Sequence, residues 1–158
     1  MQTLKIALLQ TNLIWQNPKQ NRKHIEQQIE NLETATDVLV LPEMFTTGFT
    51  MSPKEVAETM KGETISWLKN IATKKQTAIC GSLIIEEDKN YYNRFVFVTP
   101  KGETTHYDKR HTFTLAGEDK VYKHGMEKVT IHYKGWKICP LVCYDLRFPV
   151  WARNVEDY

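Results

Sequence analysis

The sequence contains no apolar run approaching the roughly 20 residues that a membrane-spanning helix needs, so a helical span is excluded. It also lacks an excess of either charge. A formal net charge of +2 and a pI near 8.4 give no strong field to attract nucleic acid or an anionic membrane surface. The short basic clusters KNIATKK and DKRH read as a solvated helix face and as local site chemistry. Cysteine is scarce and odd in number: Cys80, Cys139 and Cys143 provide no disulfide framework. The opening MQTLKIALLQ has no basic start followed by a long apolar stretch and a small-residue cleavage site, so a cytoplasmic location is expected. Linkers, internal repeats and low-complexity tracts are missing as well.

What is present is ordinary globular material, 41% hydrophobic and 25% charged. LKIALLQ (Leu4 to Gln10) and DVLVLPE (Asp37 to Glu43) are continuous aliphatic runs, the pattern of strands buried on both faces. Between them Ile25, Ile29 and Leu32 recur at helical spacing over Pro18 to Thr34, with Asn17 placed to cap the first turn. This strand-helix-strand unit predicts a parallel pair. A second helix is expected over Glu63 to Lys75, followed by the strand TAICGSLII. The period then changes. YYNRFVFVTPKGETTHYDK alternates around Pro-Lys-Gly and EKVTIHYKGWKICPLVC around Lys134-Gly135, the signature of antiparallel hairpins. A last helix is expected to start near Leu146 and to be still running where the sequence stops. The sum is a single α/β unit with a mixed sheet.

Three polar residues stand just past the carboxyl ends of predicted strands: Glu43 after VLVLP, Lys109 after THYD and Cys143 after ICPLV. Open α/β sheets bind ligands at such ends. Taken singly, each has a plain reading as a cap, a solvated ammonium or inert packing. For Cys143 three readings stand: buried filler, a redox or metal partner of Cys139, or a nucleophile at a strand-to-helix elbow. Together the three residues supply covalent amide hydrolysis. A thiol needs a base, a cation or a helix N-terminus to become a thiolate. A carboxylate in a dry pocket can shuttle its proton, and an ammonium with a backbone N–H, here that of Tyr144, can hold an oxyanion.

LPEMFTTGF, YDKRHTF with AGE, and LVCYDLRFP resemble, in order, the three motif regions of the nitrilase superfamily of carbon-nitrogen hydrolases, and YNRFVFVTPKG resembles its hairpin. CYDLRFP together with KRHTF is most similar to the omega-amidase branch. The resemblance implies an αββα sandwich with mixed sheets and hydrolysis of the side-chain amide of 2-oxo acid amides such as 2-oxoglutaramate. It implies Glu43 as general base, Cys143 as nucleophile, Lys109 at the oxyanion and Glu118 as a second glutamate orienting the lysine. It implies no cofactor, no metal and a homodimer. Other amidases, nitrilases and carbamoylases are the alternatives, as is an inactive fragment acting only by association. The resemblance also makes residues 1–158 one hydrolase domain that is expected to be incomplete at its C-terminal end.

The rival readings are weaker. Cys139 and Cys143 form C-x3-C without a second pair, and residues four apart on a strand are too distant for a disulfide. Cys80, inside TAICGSL, reads as core. His106, His111, His124 and His132 invite a Cys-His protease reading, but its local signatures are absent. His132 reads as a surface or cross-strand residue, and His111, close to Lys109, as a supporting polar group. Arg147 either holds a substrate carboxylate bidentately or is pinned in an ion pair, for instance with Asp145. Phe45 and Tyr92 line the pocket or belong to the core.

Overall fold

A computed structural model describes residues 3–32 and 34–154. Its five-stranded sheet has the order β1 (Ile6–Leu8), β2 (Val38–Val40), β3 (Ala78–Glu87), β4 (Asn90–Val98), β5 (Thr104–Asp108). The first three strands are parallel and the last three antiparallel, which is the mixed sheet expected. The parallel half is built by α1 (Pro18–Glu30) and α2 (Glu63–Lys75). Asn17 caps α1, its side chain accepting from the Gln20 N–H at 3.1 Å, with Pro18 at the first helical position, where a missing N–H costs nothing. Ile25 and Ile29 of α1 and Ile65, Leu68 and Ile71 of α2 pack on Ile79, Leu83, Val96 and Val98 of the sheet. Each such side chain contributes about 1.5–3 kcal/mol through burial.

The opposite sheet face carries Cys80 and Phe97. A separate hairpin of β6 (Ile131–Tyr133) and β7 (Trp136–Ile138) covers part of it, with Ile131 buried there and the Tyr133 ring 5.3 Å from that of Phe97. Helices, sheet and hairpin therefore form three layers. The turns follow their sequences. Asp88 and Lys89, and again Lys134 and Gly135, take the left-handed conformation that two-residue hairpin loops require. Cys80 is core, and burial pushes its thiol up to about 12. No helix among the described residues is long and apolar enough to cross a membrane.

Three expectations need correction. The run LKIALLQ yields only a three-residue strand at the sheet edge, with Ile6 56% and Leu8 78% exposed, because the helices cover only the face that Ala7 and Leu9 present. An aliphatic run does not show whether both faces are covered. The first helix stops at Glu30, so Leu32 lies beyond it and is partly exposed. No helix starts at Leu146. Residues Cys143–Arg147 form a 3-10 turn, and a four-residue helix α3 (Pro149–Ala152) follows. The residue before a proline is pushed out of helical geometry, and Phe148 accordingly has φ −113° and ψ 82°. Helix α3 ends before Arg153; the expectation of a helix running to Tyr158 falls partly outside the described residues.

Candidate active site

Glu43 lies in the turn that follows β2. The Leu41 N–H donates to the Cys80 carbonyl at 2.7 Å, and Ser82 then fixes the turn. Its hydroxyl accepts from the Met44 N–H at 2.9 Å and its carbonyl from the Phe45 N–H at 3.1 Å. The turn presses on β3 at Gly81, where a Cβ would lie 2.8 Å from that of Leu41, so only glycine fits without displacement. Met44, with φ 46°, turns the chain there and directs Phe45 into the core.

Lys109 follows β5 directly. Its backbone is held on both sides, the N–H donating to the Asn93 carbonyl at 3.0 Å and the carbonyl accepting from the Gly125 N–H at 2.9 Å. The side chain is 1% exposed and donates to Glu43 Oε1 at 2.9 Å and to both oxygens of Glu118, at 2.9 and 3.1 Å. Burial works to lower the lysine pKa, but the two carboxylates outweigh it, and the ammonium is held above its usual range. Phe49 adds an aromatic face 5.4 Å from Nζ. Glu118, fully buried, also accepts from the Phe113 N–H and from Asn93 Nδ2.

Cys143 opens the 3-10 turn with φ 45°, a left-handed conformation rare for a residue with a Cβ. Its thiol is exposed and lies close enough to the Glu43 carboxylate to feel its charge. Desolvation and the negative charge of Glu43 raise its pKa, with Lys109 opposing them, so the resting sulfur is a neutral thiol. Asp145 fixes the elbow. Completely buried, it accepts from the Val142 N–H at 3.0 Å, from Tyr107 Oη at 2.7 Å, and from the His111 N–H and Nδ1, both at 2.8 Å. One carboxylate thus ties the segment before Cys143 to the segment after Lys109.

The structure therefore brings Glu43, Lys109, Glu118 and Cys143 together. Tyr144, next to Cys143, sets its ring edge-on to Phe113 and Phe148. His111 stacks on Phe148 with centroids 3.7 Å apart and bonds Asp145, so its contacts are with the elbow. Arg147 is exposed on the same turn as Cys143, and Asp145, spent on four other donors, is not its ion-pair partner. Phe45 is core packing, completely buried with its ring 6.2 Å from that of Trp67. Tyr92 also lies away from the site. Strand pleating puts it on the face of Arg94, whose guanidinium is 5.2 Å from its ring, and leaves Asn93 on the site's face. Sequence reasoning missed Asn93, whose Nδ2 donates to Glu43 at 2.8 Å and to Glu118 at 3.2 Å. The available signal was a polar residue in register with Phe95 and Phe97 on an inward-facing row. Among the described residues no cluster of three or more His, Cys, Asp or Glu side chains could hold a metal ion.

A buried ammonium bridging two carboxylates beside a thiol on a strained turn defines a class of site, and the family comparison gives the class its name. Residues 5–156 match the carbon-nitrogen hydrolase family, and the chain belongs to it. Among curated relatives it is 44% identical over its whole length to an omega-amidase of Yersinia enterocolitica, covering 61% of that protein, and 34% identical to a 2-oxoglutaramate amidase of Bacillus subtilis, over 94% of this chain and 59% of that one. The chain thus spans about three-fifths of the length of these relatives. A solved CN-hydrolase superfamily protein from Xanthomonas campestris, with an arsenic adduct in its active site, superposes with a TM-score of 0.94 at 40% identity, over 98% of this chain and 58% of that one. The fold is that of the nitrilase superfamily, of which this chain forms one five-stranded sheet with its helices and a short hairpin of the facing layer.

Proposed function

We propose that the protein hydrolyses a small-molecule amide through a Cys143 thioester, as an omega-amidase acting on 2-oxo acid amides such as 2-oxoglutaramate. The observation that carries this reading is the 2.9 Å ion pair of Glu43 with the Lys109 ammonium beside the exposed Cys143 thiol, whose pKa desolvation and the Glu43 charge raise. Because the thiol is neutral at rest, it needs a base. Glu43 removes the sulfur proton, and the thiolate attacks the amide carbon. The oxyanion is held by Lys109 Nζ and the Tyr144 N–H. Glu43 then passes its proton to the leaving nitrogen, and ammonia departs. A water enters, gives a proton to Glu43 and attacks the thioester. Collapse releases the carboxylic acid, and the proton returns to sulfur. Proton transfer of this kind contributes about 10²–10⁴-fold and each oxyanion donor about 10²–10³-fold.

Glu118 and Asn93 keep Lys109 and Glu43 in place throughout. Arg147, exposed four residues after the nucleophile, is the group proposed to hold a substrate carboxylate. Location in the cytoplasm and homodimer formation belong to the same proposal; three free cysteines suit a reducing compartment, and the exposed Ile6, Leu8 and Trp136 suit association. The 44% and 34% identities to amidases support the substrate class. Replacement Cys143→Ala is expected to abolish ammonia release from 2-oxoglutaramate and the acyl adduct seen by mass spectrometry on the wild-type protein. Unchanged turnover in that variant excludes Cys143 as the nucleophile.

A further inference from the structure

Asn93 is 1% exposed in β4, and only one end of its amide is satisfied. Nδ2 donates to Glu43 Oε1 at 2.8 Å and to Glu118 Oε1 at 3.2 Å, whereas Oδ1 is buried without a hydrogen-bond partner among the described residues. A buried, unpaired amide oxygen carries a desolvation penalty that a leucine of similar volume would not. The reversed orientation would set Oδ1 against two carboxylates. The side chain therefore stands in this place at a cost to stability, and what offsets that cost is its pair of N–H donors.

We infer that Asn93 is a positioning residue for hydrolysis, bridging the two site carboxylates and aiming Glu43 at Cys143. The inference rests on the reading of Glu43 and Cys143 as base and nucleophile. Asn93 Nδ2 and Lys109 Nζ both reach Oε1 of Glu43, which leaves Oε2 unengaged by either donor. Held by one oxygen from two directions, the carboxylate presents the other to the thiol proton. The second donor also lets Glu43 stay in position as it gains and loses that proton, since a neutral amide keeps its hydrogen bond when the charge on Glu43 is gone. The groups around Glu43 are Lys109 from the end of β5, Glu118 from the 3-10 turn Glu118–Lys120 and Cys143 from the elbow; Tyr122 faces Glu118. Asn93, beside them, is a donor that does not titrate. Loss of its donors removes hydrogen bonds that favour the charged form of both carboxylates.

The test uses Asn93→Leu and Asn93→Ala, with ammonia release from 2-oxoglutaramate and alkylation of Cys143 by iodoacetamide each followed across pH. A lost hydrogen bond to a charged group predicts a fall in kcat of about 10–100-fold for Asn93→Leu with KM changed by less than about threefold. The acidic limb of both profiles moves to higher pH by about one unit. Asn93→Ala, whose vacated space admits a water donor, moves it in the same direction by less. An acidic limb unmoved in both variants overturns the inference, even if the melting temperature falls, because a purely structural residue would change only the latter. The alkylation profile keeps the two ideas apart. It reports on Asn93 even in a protein that releases no ammonia, whereas hydrolysis persisting in Cys143→Ala overturns the proposed function alone.

Discussion

Strand β4 carries two buried cation clusters at neighbouring positions, on opposite faces of the sheet. On one face Asn93 meets Lys109, Glu43 and Glu118; on the other Arg94, 1% exposed, forks onto its cross-strand neighbour Asp108 at 2.6 and 2.9 Å and reaches Glu87 at 2.8 Å. Each cation has two carboxylates. What separates the clusters is access and geometry. The rigid guanidinium fork fits Asp108 bidentately through Nε and Nη2 and holds β4, β5 and the end of β3 together, while its Nη1 is buried without a hydrogen-bond partner among the described residues. The ammonium is a point charge with rotatable donors. One of its partners, Glu43, keeps 24% of its side chain open, next to an exposed sulfur. Burial and charge pairing alone therefore do not distinguish a working site from a clamp; an open, reactive neighbour does.

The sharpest way to break this contrast is to remove each cation in turn. Lys109→Met is expected to lower kcat/KM by about 10³-fold, the loss of an oxyanion donor. It is also expected to destabilise the fold by about 3–5 kcal/mol, because a fully buried Glu118 loses its counter-ion. The raised lysine pKa fixes the pH window. A folded-state value above the unfolded one stabilises fully below the unfolded pKa and is lost only as pH rises through the folded value, so the wild-type pair is intact across the neutral range. Ammonia assays and urea unfolding at pH 7 check both numbers. Activity retained within tenfold would place the oxyanion elsewhere.

Arg94→Met supplies the converse. Asp108 keeps some solvent contact and Glu87 more, so the expected loss of stability is about 3 kcal/mol, at the low end for a broken buried pair. Catalysis per folded molecule is expected to stay within about twofold, since the guanidinium contacts nothing on the site's face. A loss of activity comparable to that of Lys109→Met, in protein shown to be folded, would mean that the two faces are coupled through β4 and would end the distinction.

These clusters were unequally legible in the sequence. Glu43 and Lys109 follow β2 and β5 closely, and open sheets collect ligands there, so their places could be read from the sequence. Cys143 was expected at the end of a strand ICPLV, whereas β7 ends at Ile138 and the residues between form no strand. Asn93 could not, because a polar residue in an alternating strand normally faces water; here the row it belongs to, with Phe95 and Phe97, faces inward. The exchange of Phe45 for Phe49 near the lysine has a similar origin. The left-handed Met44 redirects the chain after Glu43, and nothing in MFTTGF announces that turn. Asp145 was visible only as a possible partner for Arg147, since its actual donors come from residues 107, 111 and 142, brought together by folding. The mixed sheet and both hairpins followed from period and turn chemistry. The exposed edge of β1 did not, because coverage of a strand is a property of its neighbours.

The smallest expected effect tests how far the clamp extends. Glu87 is half exposed, and its hydrogen bond to Arg94 holds its carboxyl below the usual range against a small opposing effect of burial. A depressed folded-state value stabilises above the unfolded pKa and is lost as pH falls through the folded one. Glu87→Gln should therefore cost about 0.5 kcal/mol at pH 7, reduced by solvent screening to the range of exposed pairs. The difference from wild type should shrink toward zero only as pH falls through that depressed value, where the wild-type carboxyl is itself protonated. Urea midpoints followed from pH 7 down to the acid limit, where the carboxyl is fully protonated, measure this directly. A deficit that persists at the lower pH would show that Glu87 acts through packing of its stem on β3 rather than through charge, and would leave Asp108 as the sole electrostatic partner of Arg94.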